Sequence, residues 1–272
     1  MHGRVLVIAG SDSGGGAGIQ ADIKTIAALN AFAMTAITAL TAQDTNGVHG
    51  IYDVPAEFVA QQIAVVLADL GADAVKTGML PNAAVIDAVA ETLEGSLADI
   101  PLVVDPVMMA KGGDSLISVD AVDALKRALI PGAAVLTPNL PEAALLVGRP
   151  IRTEADMVAA GDDLLALGAR CVLLKGGHLE GDRVCDLLFG SQEMQRFESA
   201  RIDSTHTHGT GCTLASGIAA GLAQGLTVPQ AVARARAYVI EAIRTAPRYG
   251  SGHGPMNHSH PLDRRGNGSG AG

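Results

Sequence analysis

Apolar residues fall in short dense runs along the chain, each broken by glycine, proline or a polar cluster. Val5–Ala9 is a continuous β-branched run ended by Gly10, the pattern of a strand buried on both faces. The polar Gly-rich stretch Ser11–Gly18 follows. Ile19, Ile23, Ile26 and Leu29 then recur at helical spacing and predict a helix over Ile19–Leu29. Read the same way, the chain predicts strands at Phe32–Thr41, Ala74–Lys76, Leu102–Val104, Val135–Leu136 and Cys171–Leu174. It predicts helices at Pro55–Leu70, Asn82–Leu93, Val119–Leu129, Ala143–Leu146, Ala155–Leu167, Cys212–Ala223 and Val228–Arg244. Ala42–Gly47 and Lys111–Asp114 read as loops. Val184–Phe189 and Gln195–Ile202 have no helix between them and read as an antiparallel pair. This alternation predicts an α/β fold, a mainly parallel central sheet with helices on both faces.

With 272 residues, 48% of them apolar, the chain suits one large domain, taken as residues 1–258. Aromatics make up only 3% and tryptophan is absent, so Val, Leu, Ile, Ala and Met must fill the core. Met108 and Met109 read as core or lid. From about Arg248 the composition turns to Gly, His, Asn, Ser and Pro. That assigns His253, His258 and His260 to a tail, and residues 259–272 are expected to be disordered. A net charge of −9 argues against a nucleic-acid surface. Cys171, Cys185 and Cys212 are scattered with no CxxC pair, which suggests neither a disulfide framework nor a zinc knuckle. The expected setting is reducing and cytoplasmic. No apolar run reaches the ~18 residues of a membrane span, and Met1–Gly10 turns polar too soon for a signal peptide.

The chemistry gathers where apolar runs stop. Gly209-Thr210-Gly211-Cys212 precedes a small-residue helix carrying Leu214, Ile218 and Leu222. A helix N-terminus offers unpaired N–H groups and partial positive charge, and glycines let them curl around an anion, with phosphate the expected guest. Cys212, on the first turn, would have its thiol pKa lowered. Composition equally allows a plain Gly-rich turn with Cys212 as core filler. The loop after Val5–Ala9 carries neither the Gly-Lys-Ser/Thr ending of a P-loop nor a GxGxxG fingerprint, so a NAD-binding oxidoreductase is disfavoured. Asp105, Asn139 and Glu142 follow strands and supply oxygen ligands suited to Mg²⁺. Lys175, also at a strand end, suits phosphate oxygens. Taken singly, Asp105 reads as a turn starter, Glu142 as a first-turn helix acid and Lys175 as a solvated strand end. Recurrence at successive strand ends makes them a parts list for phosphoryl transfer. His206 and His208 with Cys212 imitate a metal site but lack a fourth ligand, which favours a structural or phosphate-neighbouring role.

The segments Ala9–Asp22, Thr41-Ala42-Gln43, Lys76–Met79, Val104–Val107, Thr137–Glu142, Leu174–His178 and His208–Thr213 together resemble the hydroxymethylpyrimidine/phosphomethylpyrimidine kinases of thiamin biosynthesis, members of the ribokinase-like superfamily. The resemblance runs from Val5 to about His258. It implies a ribokinase-like three-layer sandwich, ATP and Mg²⁺, a homodimer, and two successive phosphorylations, of 4-amino-5-hydroxymethyl-2-methylpyrimidine and of its monophosphate. By the same resemblance Gln43 hydrogen-bonds the pyrimidine, with Gly10, Asp22, Met79 and Val107 in the same pocket. Cys212 takes the hydroxymethyl proton. Gly209, Thr210 and Gly211 form the anion hole, and Lys175 binds phosphate. Asp105, Asn139 and Glu142 form the Mg²⁺–phosphate network. Related sugar and pyridoxal kinases usually carry Asp in place of Cys212. The alternatives are a pyridoxal kinase, or a non-catalytic pyrimidine-binding regulator on the same fold.

Overall fold

The computed structural model describes residues 1–95, 100–108, 118–190 and 193–262. The expectations for Met109, the Lys111–Asp114 loop and residues 263–272 lie outside these. Strand β1 (Arg4–Asp12) is the axis of the sheet. Its alternation is physical as well as formal: Leu6 and Ile8 enter one core, Val5, Val7 and Ala9 the other, and all are buried. On one side β1 pairs in parallel with β2 (Phe32–Gln43), whose outer neighbour β3 (Val48–Asp53) is antiparallel. On the other side lie β4 (Ala74–Thr77), β5 (Leu102–Val104), β6 (Val135–Leu136) and β7 (Val172–Leu174), all parallel. The antiparallel β8 (Arg183–Phe189) and β9 (Gln195–Ala200) close that edge. The order is β3-β2-β1-β4-β5-β6-β7-β8-β9.

One face is covered by α1 (Gly18–Ala28), α7 (Thr210–Ala223) and α8 (Val228–Arg244). The other is covered by α2 (Ala56–Asp69), α3 (Ala83–Leu93), α4 (Val119–Ala124), α5 (Leu140–Val147) and α6 (Glu154–Leu165). The helix expected over Val119–Leu129 is α-helical only to Ala124. It widens into a π turn over Leu125–Leu129 and tightens into a 3₁₀ turn over Ile130–Gly132, where Pro131 stops it. Strand β3 was not predicted. It is an edge strand facing solvent, and His49, Gly50 and Asp53 leave no apolar run long enough to read.

The expected C-terminal tail is corrected over its first part. The chain after Gly250 returns as a strap across α7 and α8. His253 donates its amide to the Thr45 carbonyl at 2.7 Å, and Asn257 donates to the Ala242 carbonyl at 3.0 Å. His258 is buried, with Nε2 3.0 Å from Thr213 Oγ1, and its carbonyl accepts from the Tyr238 hydroxyl at 2.6 Å. The His260 ring lies 4.7 Å from that of Tyr238. His253 and His258, assigned above to a tail, are thus held in place, because a few anchors fix a segment whose composition reads as polar. Burial, with Lys24 and His260 nearby, pushes His258 down to about 4 from 6.5. Neutral His258 stabilises the fold fully above pH ~6.5, and the contribution is lost as pH falls towards 4, because the unfolded chain then binds the extra proton. It is worth on the order of 3 kcal/mol. Urea midpoints measured across that interval are expected to fall more steeply for the wild-type chain than for His258→Gln.

Candidate active site

The sheet order fixes where a ligand fits. From β1 the chain moves to β2 on one side and later to β4 on the other, and such a switch opens a crevice at the strands' carboxyl ends. A cavity of about 1090 Å³ lies there, running past the ends of β1, β4, β5, β6 and β7 towards β8 and α8. Its volume is slightly above the ~300–1,000 Å³ of small-molecule sites, which leaves room for two small molecules.

At the β1 end, Gly10, Gln43, Met79 and Val107 line the cavity together. Gly10 sits at the register shift in β1, and a Cβ there would stand 3.2 Å from the Met79 sulfur. The Gly-rich loop is organised by Asp12, which the sequence reading missed. Its carboxylate accepts from the amides of Gly14 (2.8 Å), Gly16 (3.0 Å) and Ala17 (2.8 Å). His208 Nε2 lies 2.9 Å from Asp12 Oδ2. Burial works against charge on Asp12, but His208 and the loop amides outweigh it and hold the carboxyl below its ordinary value. A carboxylate only accepts, so Nε2 of His208 carries the proton. Gln43 Nε2, 3.3 Å from that nitrogen, then has no acceptor there, and Gln43 lines the cavity. An Asp followed by amides it can gather was a readable signal for this loop.

In the middle of the cavity Lys175 Nζ lies 3.2 Å from Asp105 Oδ1, which Thr137 also bonds at 3.2 Å. Asp105 Oδ2 is buried with no partner among the described residues. Burial pulls the Lys175 ammonium down, but Asp105 and Glu142 outweigh it and raise it. Asn139 and Glu142 line the cavity and also cap α5: Asn139 Oδ1 accepts from the Glu142 amide at 2.9 Å, and Glu142 Oε2 accepts from the Asn139 amide at 2.8 Å. The helix-acid reading of Glu142 thus holds, and the same residue also faces the cavity. Burial, with Asp105 adding to it and Lys175 opposing, pushes Glu142 up to about 7.

Helix α7 begins at Thr210, after Gly209 in the left-handed region at φ 82°. A Cβ on Gly209 would overlap the Gly16 carbonyl, and one on Gly211 would stand 3.3 Å from Lys175 Nζ. The Thr210 amide turns back to the Thr207 carbonyl at 3.4 Å, so the Gly211 and Cys212 amides are the ones left to an anion. Cys212 is half-buried in the cavity wall. Two expectations are corrected here. Burial, with Asp22 and Asp105 adding to it, pushes the Cys212 thiol up to about 12; Lys76 and the Gly18 amide oppose. The helix end therefore does not lower this thiol, because burial and the two carboxylates outweigh it. Asp22 does not line the cavity. It is fully buried beneath the floor, paired with Lys76 at 2.9 Å, because α1 packs that face inward.

Carboxylates and a lysine around a helix-capped anion cradle, at the ends of a mainly parallel sheet, place the molecule among ribokinase-like phosphotransferases. Comparison with known proteins narrows this. The family model for phosphomethylpyrimidine kinase matches residues 12–257, and the chain belongs to that family. It is 49% identical to the hydroxymethylpyrimidine/phosphomethylpyrimidine kinase of Streptomyces coelicolor, over 95% of each chain. It is 53% identical to the thiamine biosynthesis bifunctional protein ThiED of Geobacter sulfurreducens, over 94% of this chain but only 52% of that one. Among solved structures it resembles an ADP complex of Bacillus subtilis pyridoxal kinase (36% identity, TM-score 0.89, 97% of this chain and 100% of that one). It also resembles the phosphomethylpyrimidine kinase of Clostridium difficile (40% identity, TM-score 0.78, 88% and 99%).

Proposed function

We propose that this chain phosphorylates 4-amino-5-hydroxymethyl-2-methylpyrimidine and then its monophosphate, with ATP as donor. The observation that carries this is one cavity shared by Gln43, Lys175 and Cys212. Gln43 offers a donor to the heteroaromatic ring, while Met79 and Val107 supply apolar walls. The far end, walled by Val184, Ile202, Val239, Ile240 and Ile243, suits the flat base of the nucleotide. Phosphoryl transfer asks chiefly for positioning and charge stabilisation. Lys175 and the Gly211 and Cys212 amides meet the charge on the transferred group. In the first reaction the hydroxyl proton goes to Cys212 in its thiolate form, after the thiol has lost its own proton to solvent. In the second the nucleophile is a phosphate oxygen and needs no base.

Mg²⁺ fits the donor set. Asp105 Oδ2 has no partner among the described residues, and Mg²⁺ usually needs only one or two carboxylates besides phosphate oxygens and water. Among the described residues no group of three or more His, Cys, Asp and Glu converges; Asp105 and Glu142 would hold the ion, directly or through water. When bound it neutralises phosphate charge. Steady-state rates with the pyrimidine and with pyridoxal test the reading: the pyrimidine is expected to be the better substrate, and faster turnover of pyridoxal would make this a pyridoxal kinase.

A homodimer completes the proposal. Leu40, Ile51, Tyr52, Phe58 and Val65 are each exposed on β2, β3 and α2, apolar surface of the kind that a second copy would cover. Sedimentation is expected at twice the chain mass of 27.6 kDa, with Ile51→Glu shifting it to the monomer. Sedimentation of the wild type as a monomer would refute this.

A further inference from the structure

Beneath the cavity floor lies a charged cluster that no step above uses. Lys76, Asp22 and Ser216 are fully buried. Lys76 stands in β4 at mid-sheet, beside Val7 of β1 and Val103 of β5. Its Nζ lies 2.9 and 3.1 Å from the two Asp22 oxygens, and Ser216 Oγ donates to Asp22 Oδ1 at 2.6 Å. Two features set this cluster directly under the site. A Cβ on Gly78 would stand 2.8 Å from Lys76 Nζ and 3.0 Å from Ala9 Cβ, and Ala9 and Met79 line the cavity. Ser216 follows Cys212 by four residues on α7, one turn away on the same helix face.

Burying an ion pair costs several kcal/mol per charge, and apolar pairs often stabilise as well. Stability is therefore a weak reason for charges here, whereas their position offers a stronger one. A thiolate at Cys212 would be a further charge in the same water-poor layer. Lys76 from β4, Lys175 after β7 and the Gly18 amide favour it, while Asp22 from α1 and Asp105 after β5 oppose it. Burial opposes charge on Lys76 itself, but Asp22, Cys212 and Asp105 outweigh it, so the group stays an ammonium.

We propose that Lys76, held by Asp22 and Ser216, is a positioning residue that supplies the buried countercharge for the Cys212 sulfur. It touches neither substrate. The role in turnover rests on Cys212 as the base of the first phosphorylation. There the Cys212 thiol first loses its own proton to solvent; the hydroxymethyl proton then passes to the thiolate sulfur as the new O–P bond forms and the bond to the leaving ADP breaks, and Lys76 keeps its proton throughout.

The test is iodoacetamide alkylation of the ligand-free protein at one fixed pH, read by mass on the Cys212 peptide with Cys171 and Cys185 as internal references. Lys76→Met is expected to slow alkylation of Cys212 about tenfold, and Asp22→Asn to speed it about tenfold, as a neighbouring charge moves a pKa by about one unit or more. A merely structural cluster would move both variants the same way and would loosen all three cysteines together. Asp22→Asn keeps the side chain's shape, so it decides alone if Lys76→Met does not fold. Equal or same-direction rates, or an unchanged Asp22→Asn rate, overturn the proposal. In turnover, Lys76→Met is expected to lower kcat of the first phosphorylation with KM unchanged and to spare the second. Opposed alkylation rates with unaltered first-step turnover would support the countercharge and refute Cys212 as the base.

Discussion

Cys212→Ala is expected to lower turnover of the first phosphorylation ~10²–10⁴-fold, the usual contribution of a positioned general base. KM for the pyrimidine should change little, because Gln43, Met79 and Val107 form that part of the cavity. The second phosphorylation should lose less than about tenfold, since its nucleophile is already an anion and owes nothing to a base. The pH dependence gives a second reading. With the thiol pushed up to about 12, the thiolate fraction grows about tenfold per pH unit through the neutral and mildly alkaline range. First-step turnover of the wild type should rise with pH there, and Cys212→Ala should lose that rise. Stopped-time assays that separate monophosphate from diphosphate check both. Equal losses in the two steps would remove the base role and leave Cys212 a part of the cradle.

Gly209→Ala is expected to damage both phosphorylations together, by ~10²–10³-fold, the loss seen when a preorganised oxyanion donor is displaced. Two physical causes act at one atom. The backbone at φ 82° costs an L-residue about 1 kcal/mol or more, and the new Cβ would overlap the Gly16 carbonyl. Neither backbone can yield without moving the amides of Gly211 and Cys212 or the loop that Asp12 gathers. Loss of stability should accompany the loss of activity, about 2 kcal/mol in a chemical unfolding curve. Gly47→Ala is the control. Its Cβ would meet nothing within 4 Å and its φ is not in the left-handed region, so it should stay within about 0.5 kcal/mol of wild type and keep full turnover. A Gly209→Ala chain that folds and turns over normally would show that the cradle does not hold the transferred group.

What could be read from the chain, and what could not, divides by the kind of signal. β1 announces itself as an apolar run, and α8 follows the expected Val228–Arg244 bounds, because buried elements must repeat apolar residues at their own period. β3 carries no such signal, since an exposed edge strand needs none. The C-terminal strap hides for a related reason: Met256, His258 and His260 hold it through a few contacts among glycines and polar residues. In the site, strand-end positions were legible because polar residues there interrupt apolar runs, and Gln43, Asp105, Asn139, Glu142, Lys175 and Cys212 line one cavity; Gly10 and Met79, which line it too, were indicated by the family resemblance alone. Protonation was not legible. A helix N-terminus predicts an acidic thiol only where water remains, and burial at Cys212 reverses the sign. Asp22 was misplaced because spacing shows which helix carries a residue but not how deep that helix packs. Lys76 offered a clue in plain sight, a charge inside a strand buried on both faces, which asks for a partner. No element of the described residues is a helix long and apolar enough to cross a membrane.

The most direct measurement is mass analysis of the products after incubation of the chain with ATP, Mg²⁺ and 4-amino-5-hydroxymethyl-2-methylpyrimidine. The account predicts the monophosphate first and the diphosphate after it, one ADP released for each phosphoryl group transferred. An unmodified pyrimidine after extended incubation, with ATP intact, would contradict it.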